Sequence, residues 1–215
     1  MDAFVSRRAL ISSVSLVAMS AGLGACGTSG GRSADLSGSS SSVKSSEQKP
    51  LVQQKLESMT LEQKVAQLFV VTPEQLTGVS QAVVAGSATQ RALDDIPVGG
   101  LCYFAQNITG DQQLRDLLSG TYDMASCSGT GIAPFLAVDE EGGSLVARVA
   151  NSGYFDVQRF PNMAEVGATG DETQAARVGA AIGEYLHEIG FNVDFAPVAD
   201  VLTNSQNEVI GPRAF

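Results

Sequence analysis

Four short apolar runs alternate with longer amphipathic segments along the chain. The runs span residues 68–71, 101–104, 134–138 and 193–198. They are rich in β-branched and aromatic residues with little polar alternation, a pattern typical of buried strands. Between them, residues 111–125 and 171–189 repeat apolar side chains at three- and four-residue spacing, which predicts helices. Strand, helix and strand in this order predict parallel pairing in an α/β fold.

Helix-capping residues precede the first apolar run. Thr60-Leu61-Glu62-Gln63 has the form of a capping box, with the Thr60 side chain placed to accept from the Gln63 amide. We expect a short helix to start there and to run into Leu68.

Polar residues follow three of the predicted strands. Asn107, Asp139 and Asp200 each come shortly after an apolar run. In parallel α/β proteins the binding face lies at the carboxyl ends of the strands, so a common site is one interpretation. Asn and Asp are also ordinary turn formers, which is the alternative.

Asp139-Glu140-Glu141-Gly142-Gly143 sets three acids directly after an apolar strand. Burying such acids is costly unless they reach solvent, hydrogen-bond donors or a ligand. The glycines permit a sharp turn. Metal binding is one alternative, but consecutive carboxylates do not converge easily on one ion and no histidine lies nearby. We therefore expect neither a metal nor a cofactor.

Four motifs resemble the N-terminal (β/α)₈ domain of family 3 glycoside hydrolases of the bacterial β-N-acetylhexosaminidase type. They span residues 137–143, 160–163, 190–201 and 210–215, and the resemblance covers about Pro50 to Phe215. It implies a TIM barrel and the retaining hydrolysis of glycans that end in β-linked N-acetylhexosamine, in carbohydrate or peptidoglycan metabolism. β-Glucosidase or β-xylosidase activity is a close variant, because the same motifs occur across the family.

The resemblance also implies which residues bind the sugar. Asp139, which opens the Asp-x-Glu-Gly-Gly motif, would hold hydroxyls of the terminal sugar. Arg148 would contact the same sugar, and Arg213 matches the arginine of the Gly-x-Arg-x-Phe motif. We expect Glu140 and Glu141 to cap the turn or to bond neighbouring amides.

The resemblance places the nucleophile and the acid/base of these enzymes downstream of the Gly-x-Arg-x-Phe motif. We therefore predict no catalytic residue in this chain, and we assign the single histidine, His187, to a surface or packing role. A (β/α)₈ barrel takes about 250 residues, so residues 50–215 should form about half of one. As it stands, the chain should hydrolyse no chromogenic N-acetyl-β-glucosaminide. The alternative function is a non-catalytic surface lipoprotein that binds sugars or a cell-wall partner.

Composition limits the partners. Hydrophobic residues make up 44% and charged residues 17%, and the net charge is −10. This composition fits one globular core, and the negative charge disfavours nucleic acid. The predicted partners are a carbohydrate substrate that contains N-acetylglucosamine and, through an anchor, a membrane.

The first residues have the layout of an export signal. Arg7 and Arg8 precede an apolar stretch over residues 9–25, and Leu23-Gly24-Ala25-Cys26 resembles a bacterial lipobox. We predict a signal peptide over residues 1–25, lipidation at Cys26, and a flexible Ser/Gly-rich linker over residues 26–49. The protein would be exported and anchored to the cell membrane by lipid, with the general secretory and twin-arginine routes both open.

Two further cysteines, Cys102 and Cys127, belong to the folded part. An even pair in an exported protein can form a disulfide, but two free thiols are an equal alternative, because a sequence does not supply the Cα separation.

Overall fold

A computed structural model describes residues 49–214 of the chain. The predicted signal peptide, Cys26, nearly all of the linker and Phe215 lie outside the described residues. The helices and strands run in the order α1 (Leu51–Ser58), α2 (Leu61–Ala66), β1 (Val70–Val71), α3 (Pro73–Thr77), α4 (Ser87–Asp95), β2 (Gly100–Tyr103), α5 (Asp111–Cys127), β3 (Phe135–Val138), β4 (Glu140–Gly142), β5 (Val146–Ala147), α6 (Met163–Ala168), α7 (Glu172–Ile189) and β6 (Val193–Asp194). Short 3-10 helices occur at Ala105–Asn107, Ala150–Ser152 and Gly211–Arg213.

The predicted parallel pairing is confirmed. β1, β2, β3 and β6 form a four-stranded sheet in that order, and every pair is parallel. β4 and β5 form a separate antiparallel hairpin that leaves the sheet directly after β3. The hairpin therefore lies at the carboxyl ends of the strands.

One face of the sheet packs against helices to form the core. Leu101, Tyr103, Leu136 and Val138 point to this face, and none is more than 2% exposed. The same hydrophobic cluster includes apolar side chains from both long helices: Leu114, Leu117 and Leu118 of α5, and Val178, Ile182, Leu186 and Ile189 of α7. The three- and four-residue spacing seen in the sequence is thus the spacing of the buried helix faces.

The predicted helices are confirmed, with small changes at their ends. The Thr60 hydroxyl accepts from the Gln63 amide at 3.2 Å, and the Gln63 side chain accepts from the Thr60 amide in return. The resulting helix stops at Ala66, before the predicted end. Asp171 lies just outside α7 and caps it by accepting from two backbone amides. Across residues 49–214, no helix is both long enough and apolar enough to cross a membrane.

Two strand predictions were wrong in extent. The run at 68–71 is not buried, since Leu68 is 82% and Phe69 53% exposed. The backbone amides of these two residues still donate to carbonyls at the end of α2. Only Val70–Val71 therefore joins the sheet, as an edge strand. The run at 193–198 pairs only through Val193–Asp194. Pro197 lacks the backbone N–H that a longer ladder would need.

Candidate sugar-binding site

Asp139 and Arg148 meet at the carboxyl end of β3. Asp139 follows the last residue of β3, and Arg148 follows β5, so the hairpin folds the second residue back beside the first. The Arg148 Nη2 lies 3.8 Å from the Asp139 Oδ2, and both side chains are about one-quarter exposed. At this distance the two charges attract without forming a direct hydrogen bond, so both groups keep capacity for a ligand.

Phe104 supports the Arg148 guanidinium. The guanidinium carbon lies 5.5 Å from the centre of the Phe104 ring, a cation–π contact. Within the described part of the chain, the buried Nε of Arg148 has no hydrogen-bond partner. Arg148 is therefore held in place largely by its charge and its ring contact, with N–H groups left to donate.

Arg213 also lies at this end of the sheet, where it is paired with Glu141. The Arg213 Nε donates to Glu141 Oε2 at 2.7 Å, and Nη2 donates to Oε1 at 2.6 Å. The hydrogen bond that Arg213 donates to Glu141, with the charges of Glu141, Asp200 and Asp139, raises the pKa of Arg213, although burial lowers it. The expectation that Glu141 caps the turn or bonds neighbouring amides was wrong, because both of its carboxylate oxygens accept hydrogen bonds from Arg213 instead.

Glu140 satisfies the amide-bonding prediction. Its side chain is fully buried and accepts from the backbone amides of Val149 and Ala150, at 2.7 and 2.9 Å. The Tyr185 hydroxyl donates to the same carboxylate at 2.7 Å. Sequence reasoning missed Tyr185, since its place in the apolar repeat of α7 indicated packing only.

Asp194 is a second acid that sequence reasoning missed. Its Oδ1 accepts from the Glu140 amide at 2.9 Å. Burial, together with the charges of Glu140, Asp139 and Glu141, raises the pKa of Asp194 from 3.8 to about 6, although the hydrogen bond from the Glu140 amide lowers it. An acid inside an apolar run, Val193-Asp194-Phe195, was the available signal.

The glycines of the motif make the turn between β4 and β5. Gly142 and Gly143 have φ values of +88° and +71°, which favour glycine. The Asn162 Oδ1 accepts from the amide and the hydroxyl of Ser144, at 3.0 and 2.9 Å. The motif at residues 160–163 therefore helps to stabilise this turn.

The predicted common site of Asn107, Asp139 and Asp200 was wrong for Asn107. Asn107 is fully buried, and its amide donates to Glu74 Oε1 at 2.6 Å and to the Ala82 carbonyl at 2.9 Å. These hydrogen bonds connect the segment that follows β1 to the end of β2. Asp200 is exposed and close enough to act on Arg213, and His187 is exposed on α7, as expected.

Cys102 lies under the site, and its thiol is buried. Burial, followed by the Asp139 charge, raises its pKa to about 11, so it stays protonated at neutral pH. Cys102 and Cys127 are both free in this structure, with Cys127 exposed at the end of α5.

A cavity of about 410 Å³ lies between the hairpin and helices α6 and α7. It is lined mainly by apolar side chains, including Met163, Val178 and Ile182, and neither Asp139 nor Arg148 lines it. Over residues 49–214, no cluster of three or more His, Cys, Asp or Glu side chains is arranged to hold a metal ion.

Known proteins resemble this chain over most of the described part. The family model described as glycosyl hydrolase family 3 N terminal domain matches residues 60–215. "Beta-hexosaminidase A" of Pseudoalteromonas piscicida is 36% identical over 122 residues, which are 55% of this chain and 20% of that protein. "Beta-hexosaminidase" of Pseudomonas aeruginosa is 34% identical over 121 residues, or 55% of this chain and 32% of that protein.

Solved structures agree with these matches. A glycoside hydrolase family 3 beta-N-acetylglucosaminidase from Paenibacillus sp. str. FPU-7 superposes with a TM-score of 0.61 and 30% identity, covering 72% of this chain and 27% of that one. A beta-N-acetylhexosaminidase from Beutenbergia cavernae, at 23% identity and a TM-score of 0.57, shares the fold. The chain spans between a fifth and a third of the two curated relatives described above. The α/β assignment is confirmed, and the parallel sheet corresponds to part of a (β/α)₈ barrel.

Proposed function

Because the chain belongs to glycosyl hydrolase family 3, we propose that it serves the hydrolysis of glycans that end in β-linked N-acetylhexosamine, and that Asp139, Arg148 and Arg213 bind the terminal sugar. The names of its relatives support the substrate class. The observation that carries the binding role is the Asp139 carboxylate beside the Arg148 guanidinium, at 3.8 Å and without a direct hydrogen bond.

This pair suits neighbouring hydroxyls of a sugar. A carboxylate accepts two hydroxyl protons at once, and the guanidinium donates to the hydroxyl oxygens; such charge-assisted bonds are roughly twice as strong as neutral ones. Arg213 uses three of its five N–H groups on Glu141 and the Val209 carbonyl, which leaves two for a ligand. A second hydroxyl or an acetamido oxygen would accept these.

The three consecutive acids of the motif are not placed to cleave the glycosidic bond. Retaining hydrolysis needs two groups that flank the scissile bond from opposite sides. Asp139, Glu140 and Glu141 are consecutive, Glu140 is fully buried, and Glu141 is paired with Arg213. We therefore assign no nucleophile and no acid/base among them.

Calorimetry with N-acetylglucosamine tests the binding role. Asp139→Asn keeps the shape of the side chain and removes its charge, so we expect affinity to fall by about tenfold or more. Asp156→Asn, at an exposed position outside the site, is the matched control and should bind as the parent does. Equal affinity of the parent and Asp139→Asn would refute the proposal. Turnover of a chromogenic N-acetyl-β-glucosaminide by the parent would contradict the prediction that the chain as it stands hydrolyses none.

We further propose that the protein is exported and anchored by lipid on Cys26. Support comes from the sequence alone: Arg7 and Arg8, the apolar stretch over residues 9–25, and the tripeptide before Cys26. Labelling of cells with a radioactive fatty acid should mark the parent and Cys127→Ser, but not Cys26→Ser. Equal labelling of Cys26→Ser would contradict the anchor.

A further inference from the structure

We propose that Glu140 is the positioning residue that sets the spacing between Asp139 and Arg148. This inference rests on the proposed sugar-binding role of those two residues. Glu140 follows Asp139 directly in the chain, and its carboxylate holds the amide of Val149, which follows Arg148 directly. One side chain thus ties together the two ends of the hairpin that carry the binding groups.

The hairpin needs such a tie because its own ladder is short. β4 and β5 pair only through Glu140 with Ala147 and Gly142 with Val146, and a register shift lies between the two pairs. An isolated two-stranded hairpin is marginally stable in water. The carboxylate adds bonds to two successive amides, Val149 and Ala150, just where the chain leaves β5.

The carboxylate is in turn fixed to the core. Tyr185 of α7 donates to Oε1 at 2.7 Å, and Asp194 of β6 accepts from the Glu140 backbone amide at 2.9 Å. The hairpin is therefore held against a helix and a strand of the main sheet. These contacts therefore also fix the distance of 3.8 Å between Asp139 and Arg148.

An ionised glutamate suits this role better than a glutamine would. Three donors converge on the Glu140 carboxylate: two backbone amides and one hydroxyl. The pKa of Glu140 is raised, chiefly by burial, although those donors and the charge of Arg148 lower it. A glutamine would set an NH₂ group against at least one of the donors, so the hairpin would lose a bond and shift.

Glu140→Gln is the test, with Glu184→Gln on the exposed face of α7 as its matched control. In Glu140→Gln we expect the Val149 and Ala150 amide hydrogens to exchange at least about tenfold faster, and affinity for N-acetylglucosamine to fall by about tenfold. The core amide of Leu118 should exchange as in the parent. Glu184→Gln should change neither property. Unchanged affinity in Glu140→Gln, in a chain whose affinity depends on Asp139, would overturn the positioning role alone.

Two further measurements separate the ways in which the test can fail. If the parent binds no sugar, the proposed function fails, and the positioning role is then judged on the Arg148 Nε–H resonance, which must move in Glu140→Gln and stay in Glu184→Gln. If Glu140→Gln does not fold, Tyr185→Phe replaces it, with Tyr122→Phe on the surface of α5 as control. Tyr185→Phe keeps both amide bonds, so we expect a smaller loss of affinity; no loss would overturn the proposal.

Discussion

Glu141 and Arg213 form a two-point ion pair across 72 positions of the chain, with N–O distances of 2.7 and 2.6 Å. The Glu141 side chain is 8% exposed and that of Arg213 24%. The pair joins the glycine-rich turn to the 3-10 helix Gly211–Arg213, and so connects two of the motifs that carry the family resemblance.

We expect this pair to contribute measurably to stability. Glu141→Gln, Arg213→Gln and the double variant form a cycle, and urea unfolding should give a coupling free energy of about 1–3 kcal/mol, because the hydrogen bonds are charged and partly buried. The pair Arg177–Asp171 is the control: it lies at 3.9 Å between side chains that are 72% and 49% exposed. Its coupling should stay below about 0.5 kcal/mol. Equal couplings would contradict the expectation.

Asp194 should make the fold less stable as the pH rises. The pKa of its carboxyl is about 6 in the folded state against an ordinary 3.8, so the folded state binds this proton more tightly than the unfolded state does. The stability that this group contributes is complete below about pH 4 and is lost as the pH rises through about 6. Glu140, whose pKa is also raised, acts in the same direction.

Urea unfolding of the parent and of Asp194→Asn from pH 4 to pH 7 measures this effect. The free energy of unfolding of the parent should fall by on the order of 1 kcal/mol more than that of the variant, after allowance for solvent screening of a partly exposed group. Asp156→Asn should follow the parent. Parallel profiles for the parent and Asp194→Asn would show that this carboxyl does not titrate as described.

Gly143 should tolerate a side chain less well than Gly153. Both have positive φ, +71° and +81°, so alanine strains the backbone at either position by about 1–2 kcal/mol. Only at Gly143 would the added Cβ also meet Asn162, at 2.8 Å from Oδ1 and 3.0 Å from Cα, whereas Gly153 faces open space. Thermal unfolding should rank Gly143→Ala below Gly153→Ala. If Gly143→Ala were the more stable of the two variants, the close contact between Gly143 and Asn162 would be contradicted.

The two cysteines of the folded part should differ in reactivity. Brief alkylation of the native protein at pH 8, followed by peptide mapping, should mark Cys127 and leave Cys102 unmarked until urea is added, because Cys102 is buried and its pKa is raised to about 11. Recovery of the two as one disulfide-linked peptide from the exported protein would show that the pair is oxidised there.

Local patterns in the sequence determined most of the helices, the strand cores and the parallel pairing. The Thr60–Gln63 capping box and the periodicity of residues 111–125 and 171–189 depend on neighbours within a few positions, so the sequence alone predicts them. The place of Asp139 directly after a buried strand is of the same kind. Strand length was less predictable, because Leu68 and Phe195 are apolar yet exposed, at 82% and 50%.

Only the tertiary structure decided what each polar side chain does. Glu140 and Glu141 are chemically identical neighbours, yet the first is buried with Tyr185 and the second pairs with Arg213. Asn107 has the same position after a strand as Asp139, but it is enclosed by Glu74 and Ala82. These partners come from distant segments, and a pattern of neighbouring residues carries no information on which distant groups will pack together. The sequence predicted where the acids emerge from the sheet, and the packing of the hairpin against α7 and β6 determined which of them stay free for a ligand.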